Sequence, residues 1–579
     1  PSRITPENNG KIRPQADREN AFARAGGGGN GTAVEPSLPR RKHTLNRQSL
    51  HLPSQEEAPP RDVEPFDVHE GFLLTHIKGA LAQVRYPRGE KGEAHMSTLR
   101  RSRRRVADCG LSVMLLAAFV LLFSNAASAD MLTVSPDGVL LKDGKPYRAI
   151  GANLYDAFFR LWEHPGDLTY DRDFATLEAE GIPFARIAAT YFEPDAMMEY
   201  VNHREDYLSK LDGVVASAEQ HHVGLIMDLF CWDAAVPDVV HEPRSAWGDP
   251  NSKTIAFMRD YTRTIVSRYN DSPAVWAWEF GNEFSLQVDL PNAADWRPHI
   301  NTYFGWPAKR TKADDLTTSM ILVAFTEFGK TVREIDPKRA ISSGNSLPRS
   351  MADLQRRTLQ WGRPDTRAQF RANLALVNPD PIDTLSIHLY RDDMVDRFGL
   401  SYATYGDVLA EAMKVSATEK KPLLAIEFGS FLGYGGLNTP DAVRKDFEVK
   451  LKAIVDNRVP LAAFWGVSSS ISYASDDFTV SREKGLGYMF DDIKAANAEI
   501  AAQLATEKRI SDVLPQFEAA LKTADRDAVR ALQILLTDRG FKPGAADGRY
   551  GAETRQALTA CIAAGECSAT DAPDAKPSP

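Results

Sequence analysis

From residue 131 onward the apolar residues alternate between two rhythms. Short, near-continuous apolar runs predict strands covered on both faces. They fall at 148–154, 183–189, 223–230, 274–283, 339–343, 384–390, 422–428 and 461–467. Between them, apolar positions recur at helical spacing, as in Leu208, Leu211, Val214, Val215 and Ala218. These stretches predict helices at 170–180, 204–221, 254–268, 313–335, 367–377, 405–417, 442–457 and 491–505. Ahead of the first run, residues 131–148 alternate and turn at Asp137-Gly138 and Asp143-Gly144, which predicts a hairpin.

Eight strand–helix repeats predict an α/β fold, a (β/α)8 TIM barrel over 130–508. At about 375 residues it exceeds the ~250 usual for such barrels, so it carries long loops. The longest follows strand four, 284–312, and holds Trp296, Tyr303, Phe304 and Trp306. After Ala505 a short connector is expected, then a small all-α domain over 511–568. Val529, Leu532, Leu535 and Leu536 mark one of its helices, and Ala557, Leu558 and Ile562 another. Residues 569–579 read as a disordered tail.

The first 95 residues show neither rhythm, are rich in Gly, Pro and Arg, and precede the first methionine, Met96. They read as an upstream segment, disordered or over-translated. Residues 96–129 follow a secretory order: the basic run Arg100–Arg105, an apolar run from Val113 to Phe123, then Ala127-Ser128-Ala129. That run is short for a span of about 20 residues, so a cleaved signal peptide is preferred to a membrane anchor. A secreted or periplasmic chain with no stable membrane span is the expectation. Export allows Cys561 and Cys567 to close a small loop, and Cys231 reads as a buried small hydrophobe. The net charge of −9 and pI near 5.8 argue against a nucleic-acid partner. No CxxC spacing occurs among the four cysteines.

In a barrel, chemistry comes from the C-terminal ends of several strands. Read in order, those ends offer Asn153 and Tyr155, Arg186, Trp232 and Asp233, Asn282 and Glu283, His388 and Tyr390, Glu427, and Trp465. Polar or aromatic groups at seven of eight strand ends are hard to explain as packing alone.

This pattern resembles clan A glycoside hydrolases, most nearly the family 5 cellulase and mannanase group. The resemblance implies that Glu283, after Asn282 at the end of strand four, is the acid/base and that Glu427 at the end of strand seven is the nucleophile. It assigns Arg186, Asn282, His388, Tyr390 and Trp465 to the substrate-binding surroundings, and the strand-end positions of Trp232 and Asn153 add these two to the expected set. One departure stands out. The family often carries a His near the end of strand three, where this chain has Phe230-Cys231-Trp232-Asp233. The C-terminal residues Ala531-Leu532-Gln533 and Asp547-Gly548-x-Tyr550-Gly551-x-x-Thr554 resemble a small three-helix peptidoglycan-binding domain.

The chemistry supports these roles. Retaining hydrolysis needs one protonated and one ionised carboxyl about 5–5.5 Å apart. Glu283 needs a raised pKa, through burial and a negative neighbour. Glu427 must ionise, with Arg186 and Tyr390 favouring its charge. No metal and no organic cofactor is required. The expected protein is a bacterial, envelope-associated hydrolase of a β-linked polysaccharide, with peptidoglycan as partner of the C-terminal domain. Two alternatives are a silent carbohydrate-binding scaffold and a hydrolase of peptidoglycan glycan itself.

Overall fold

The predicted strands form where their apolar runs stand. The computed structural model describes residues 131–573 apart from 164–165, 191–193, 301–305 and 468–478. The upstream segment, the signal peptide, Tyr303, Phe304 and the end of the tail therefore lie outside the described residues. Barrel strands one to eight are Ala149–Asn153, Phe184–Ala188, Gly224–Phe230, Val275–Gly281, Ala340–Ser342, Leu385–Leu389, Leu423–Phe428 and Leu461–Phe464. Every residue in them is buried, which is why their sequences are runs rather than alternations.

Neighbouring strands pair in parallel from five back to one, and strand eight closes onto strand one. Strands five and six share no backbone ladder among the described residues. Side chains bridge that seam: Thr384 Oγ1 donates to Ile341 O at 2.9 Å, and Ser386 Oγ to Asn345 O at 3.0 Å.

The barrel floor is apolar. Leu132, Leu140, Phe184, Ile226, Trp276, Leu424 and Ile426 form one buried cluster there. Leu132 and Leu140 come from the predicted hairpin, which pairs Leu132–Val134 with Leu140–Lys142 and adds Lys145–Pro146 as a third short strand. It plugs the N-terminal end of the barrel. A much larger cluster lies between the strands and the surrounding helices, as layered α/β architecture requires.

Two elements depart from their expected bounds. The helix expected from residue 313 begins at Thr318. Thr311 and Asp314 instead form a capping box around the short turn Lys312–Asp314, and Asp289 accepts the first helical amide, Thr318 N, at 3.2 Å. The final helix does not stop near Ala505. It runs unbroken over Gly487–Leu521, so no connector separates the barrel from the C-terminal domain. The intervening residues, Thr506 to Ile510, contain neither glycine nor proline, so nothing in them breaks the helix, and Pro515 is carried within it. Lys508 and Asp512 pair one turn apart at 2.6 Å.

The end of that helix packs with Arg526–Asp538 and Ala552–Ala564 as a three-helix unit. Its core holds Leu514, Phe517, Leu532, Leu536, Leu558 and Ile562, and Cys561 and Cys567 are disulfide-bonded. Gln533 is buried among them. Its amide nitrogen donates to Asp547 Oδ1, Arg549 O and Thr554 Oγ1, and its oxygen accepts from Gly548 N at 2.9 Å. This explains physically why Ala-Leu-Gln and Asp-Gly-x-Tyr-Gly-x-x-Thr occur together: the glutamine holds the turn in place.

Candidate active site

The two glutamates singled out in the sequence meet at the C-terminal end of the barrel. Glu283 lies in the turn leaving strand four, with φ 57° and ψ 25°. This left-handed conformation is uncommon for a side chain of its size and recurs at functional sites. Its amide donates to Gly344 O at 2.9 Å. Gly344 has φ +66°, and an added Cβ there would lie 1.7 Å from Gly281 O, so only glycine lets the two strand ends approach. Arg349 then pins the outgoing loop by donating to Ser285 O, Leu286 O and Val288 O.

Glu427 reaches the cleft through an irregularity. Strict alternation would send Ile426 and Glu427 to opposite faces of the sheet. Ile426 already points into the barrel floor. The register of strand seven shifts against both neighbours between Ala425 and Phe428, and this bulge turns Glu427 inward as well. Tyr390 donates its hydroxyl to Glu427 Oε1 at 2.7 Å, and Arg186 Nη1 donates to Oε2 at 3.1 Å.

His388 stands between the two acids. Its Nδ1 lies 2.9 Å from Glu283 Oε1 and 3.5 Å from Glu427 Oε2. An atom from each of the three residues falls within 4.8 Å of the others. Burial lowers the pKa of His388 to about 4, against the pull of Glu427, so the ring is neutral near pH 7. Burial raises Glu427 above the ordinary glutamate value. The Glu283 charge adds to that rise, while His388, Arg186 and the Tyr390 hydroxyl oppose it. Arg186 and Tyr390 thus act in the expected direction without outweighing burial.

Beneath the glutamates lies a polar network anchored on Arg186, which is fully buried. Nε donates to Glu279 Oε1 at 2.5 Å, Nη1 to Asn153 Oδ1 at 3.2 Å, and Nη2 to Asn282 Oδ1 at 2.9 Å. Asp228 Oδ2 lies 3.5 Å from Nη2. Burial works against the Arg186 charge, and Glu279, Tyr155, Asp228 and Glu427 more than restore it. Asp228 is pushed up to about 7 by burial, against Arg186, and accepts a hydrogen bond from the Tyr155 hydroxyl.

The expected residues therefore separate into two groups. Asn282, Trp232 and Trp465 are partly exposed at the cleft. The Trp465 ring leans on Tyr155 with centroids 5.6 Å apart. Asn153, Arg186 and His388 were expected among substrate-binding groups but are fully buried. Asn153 commits its amide nitrogen to Ile426 O at 3.0 Å and Ala463 O at 3.3 Å. Arg186 and His388 touch the glutamates directly, whereas Asn153 reaches them only through Arg186.

Glu279 and Asp228 escaped the sequence reading. A usable signal existed: each is a lone acid inside a wholly apolar strand, and a buried charge needs a partner. His299 was also missed. It comes from the loop after strand four and stacks on Trp232, with centroids 5.4 Å apart and planes at 29°. An imidazole thus stands near the end of strand three although that strand supplies none. Trp306 stacks in turn on His241, at 5.4 Å and 19°.

A family model described as a putative peptidoglycan binding domain matches residues 525–560. A probable mannan endo-1,4-beta-mannosidase F of Aspergillus flavus is 26% identical over 310 residues, covering 50% of this chain and 58% of that protein. Mannan endo-1,4-beta-mannosidase F of Aspergillus fumigatus is 28% identical over 245 residues, covering 41% of this chain and 47% of that protein. The chain thus spans only about half the length of the curated relatives it matches. A solved endo-1,4-beta-mannanase of Rhizomucor miehei overlaps 64% of this chain and 99% of its own, with 17% identity and a TM-score of 0.47. The model described as cellulase, glycosyl hydrolase family 5, matches residues 140–466, more than half of the chain; this chain belongs to that family.

Proposed function

We propose that this protein is a retaining glycoside hydrolase that cleaves a β-linked polysaccharide of the mannan type. The observation that supports it most directly is the closeness of Glu283 and Glu427, whose nearest oxygens lie within 4.8 Å. That suits the roughly 5–5.5 Å of retaining enzymes and leaves no room for the water that an inverting pair, about 6.5–9.5 Å apart, holds between them. The substrate class rests on the relatives named as mannan endo-1,4-beta-mannosidases.

In the first step the Glu427 carboxylate attacks the anomeric carbon while Glu283 gives its proton to the departing glycosidic oxygen. In the second, Glu283 takes a proton from water, the oxygen attacks the same carbon, and Glu427 leaves. His388 and Arg186 hold the two carboxylates at their separation. Asn282 is placed to meet the sugar 2-hydroxyl, and Trp465 and Trp232 offer flat faces to sugar rings.

The C-terminal unit anchors the exported enzyme to peptidoglycan. The domain division is 130–508 and 511–568, although one helix crosses it. A direct test is hydrolysis of soluble β-1,4-mannan followed by proton NMR. The expected first product has the anomeric configuration of the substrate; first release of the opposite anomer excludes Glu427 as nucleophile.

A further inference from the structure

The last helix carries more than connectivity. It leaves the cleft side of the barrel after strand eight and runs down the barrel wall. At Asn497 it exchanges two hydrogen bonds with the backbone of Ile150, near the start of strand one. At Glu507 it meets Arg148 at 3.1 Å and Arg458 at 2.8 Å. Those arginines precede strands one and eight, so Glu507 lies level with the barrel floor. The remaining helix, to Leu521, extends about 20 Å further at 1.5 Å per residue. Leu514 and Phe517 along it already belong to the core of the C-terminal unit, and Ile510 and Val513 pack against that core. Arg509 Nη1 donates to Ala563 O at 2.9 Å, so the unit begins where the barrel ends, with no flexible segment between them.

The other chain connection is on the same side. Met131, the first described residue, precedes the hairpin that plugs the barrel floor. Thr133 pairs with Arg339, which directly precedes strand five. Strand four rises about 20 Å from Val275 to Gly281 at roughly 3.3 Å per residue. The catalytic mouth therefore stands a full barrel height from both connections.

We infer that the N-terminal face of the barrel is the tethered face, so that the enzyme on its anchor holds the catalytic mouth toward the medium. The polymer that it cleaves then differs from the polymer that holds it: a β-linked polysaccharide arriving from outside, with the peptidoglycan of the wall on the far side. This rests on the reading of the cleft as a hydrolase site and of residues 525–560 as a wall-binding unit. It argues against peptidoglycan glycan as the substrate.

The test places one thiol on each face of the full chain and follows its reaction with a bulky maleimide-polyethylene glycol. Leu432→Cys lies on the loop after strand seven, beside the mouth; Val139→Cys lies on the hairpin at the floor. Both positions are exposed. Cys231 is buried and Cys561 and Cys567 are bonded to each other, and the natural chain, treated in parallel, supplies the background. With the enzyme bound to insoluble peptidoglycan sacculi, the Val139→Cys thiol is expected to lose reactivity in proportion to the bound fraction. The Leu432→Cys thiol is expected to keep the rate of the free enzyme. Equal protection of both, protection of Leu432→Cys alone, protection of neither, or failure to sediment with sacculi would each overturn the inference. Soluble mannan is added as a separate arm. If the floor thiol alone is protected but no mannan is cleaved, the hydrolase reading fails and the tethered orientation stands.

Discussion

Arg186 and Glu279 form a fully buried ion pair, with 2.5 Å between Nε and Oε1, beneath the paired glutamates of the cleft. Because Asp228 and Glu427 share the same guanidinium, this pair governs how much positive charge Glu427 receives. The base of the cleft is a balance among carboxylates, and the variants below disturb it one member at a time.

In the proposed mechanism Glu283→Gln removes the proton donor, and it is expected to lower kcat/KM by about 10²- to 10⁴-fold, the usual contribution of general acid–base catalysis. The loss should shrink sharply with an aryl glycoside whose leaving group needs no protonation. Glu427→Ala should be inactive on every substrate. Added azide should then yield a glycosyl azide of inverted configuration, detectable by NMR.

As the proposed nucleophile, Glu427 must be ionised to attack, so its pKa is expected to set the acid limb of kcat/KM in the free enzyme. Since burial raises that pKa, activity should begin to fall at a pH above the ordinary glutamate range. Glu279→Gln frees more of the Arg186 charge for Glu427, which lowers its pKa and moves the acid limb toward lower pH. An unchanged limb with only a lower melting temperature would make Glu279 structural alone.

Neutral His388 makes stability pH-dependent. Its folded pKa of about 4 lies below the ordinary 6.5, so between these values the unfolded chain binds a proton that the folded chain does not. Stability is therefore held above pH 6.5 and lost as pH falls toward 4, on the order of 3 kcal/mol in full. Urea midpoints measured across this window should drop less steeply for His388→Gln than for the natural chain.

Arg186→Met leaves Glu279 and Asp228 buried without their shared cation. Breaking such a buried pair costs about 3–5 kcal/mol, so the variant should unfold at markedly lower urea as well as lose activity. Restoring neutrality with Glu279→Gln in the same chain should recover part of the stability and none of the turnover.

Gln533→Leu should act on the C-terminal unit alone. It strands the buried Gly548 amide and removes the donor to Arg549 O, a cost of about 1–3 kcal/mol. Faster hydrogen exchange over 547–554 and weaker sedimentation with sacculi are expected, with unchanged hydrolysis of soluble mannan.

The eight strands, most of the helices and both glutamates were legible in the sequence. Burial on two faces forces apolar runs, and helices packed on one side force a 3.6-residue period, so the repeat declares the barrel without coordinates. Strand ends supply the chemistry of such barrels, which brought Glu283 and Glu427 together although they lie 144 positions apart. Three things needed the tertiary structure. The bulge beside Ile426 decides that Glu427 faces inward, and a register shift leaves no mark on residue type. The sharing of Arg186 among Glu279, Asp228 and Glu427 depends on strands two, three and four lying side by side while strand seven, beyond strands one and eight in the sheet, brings Glu427 to the same guanidinium. The unbroken helix from Gly487 to Leu521 fixes the C-terminal unit below the barrel floor, because helix propensity permits continuity but only packing against Ile150, Arg148 and Arg458 sets its direction.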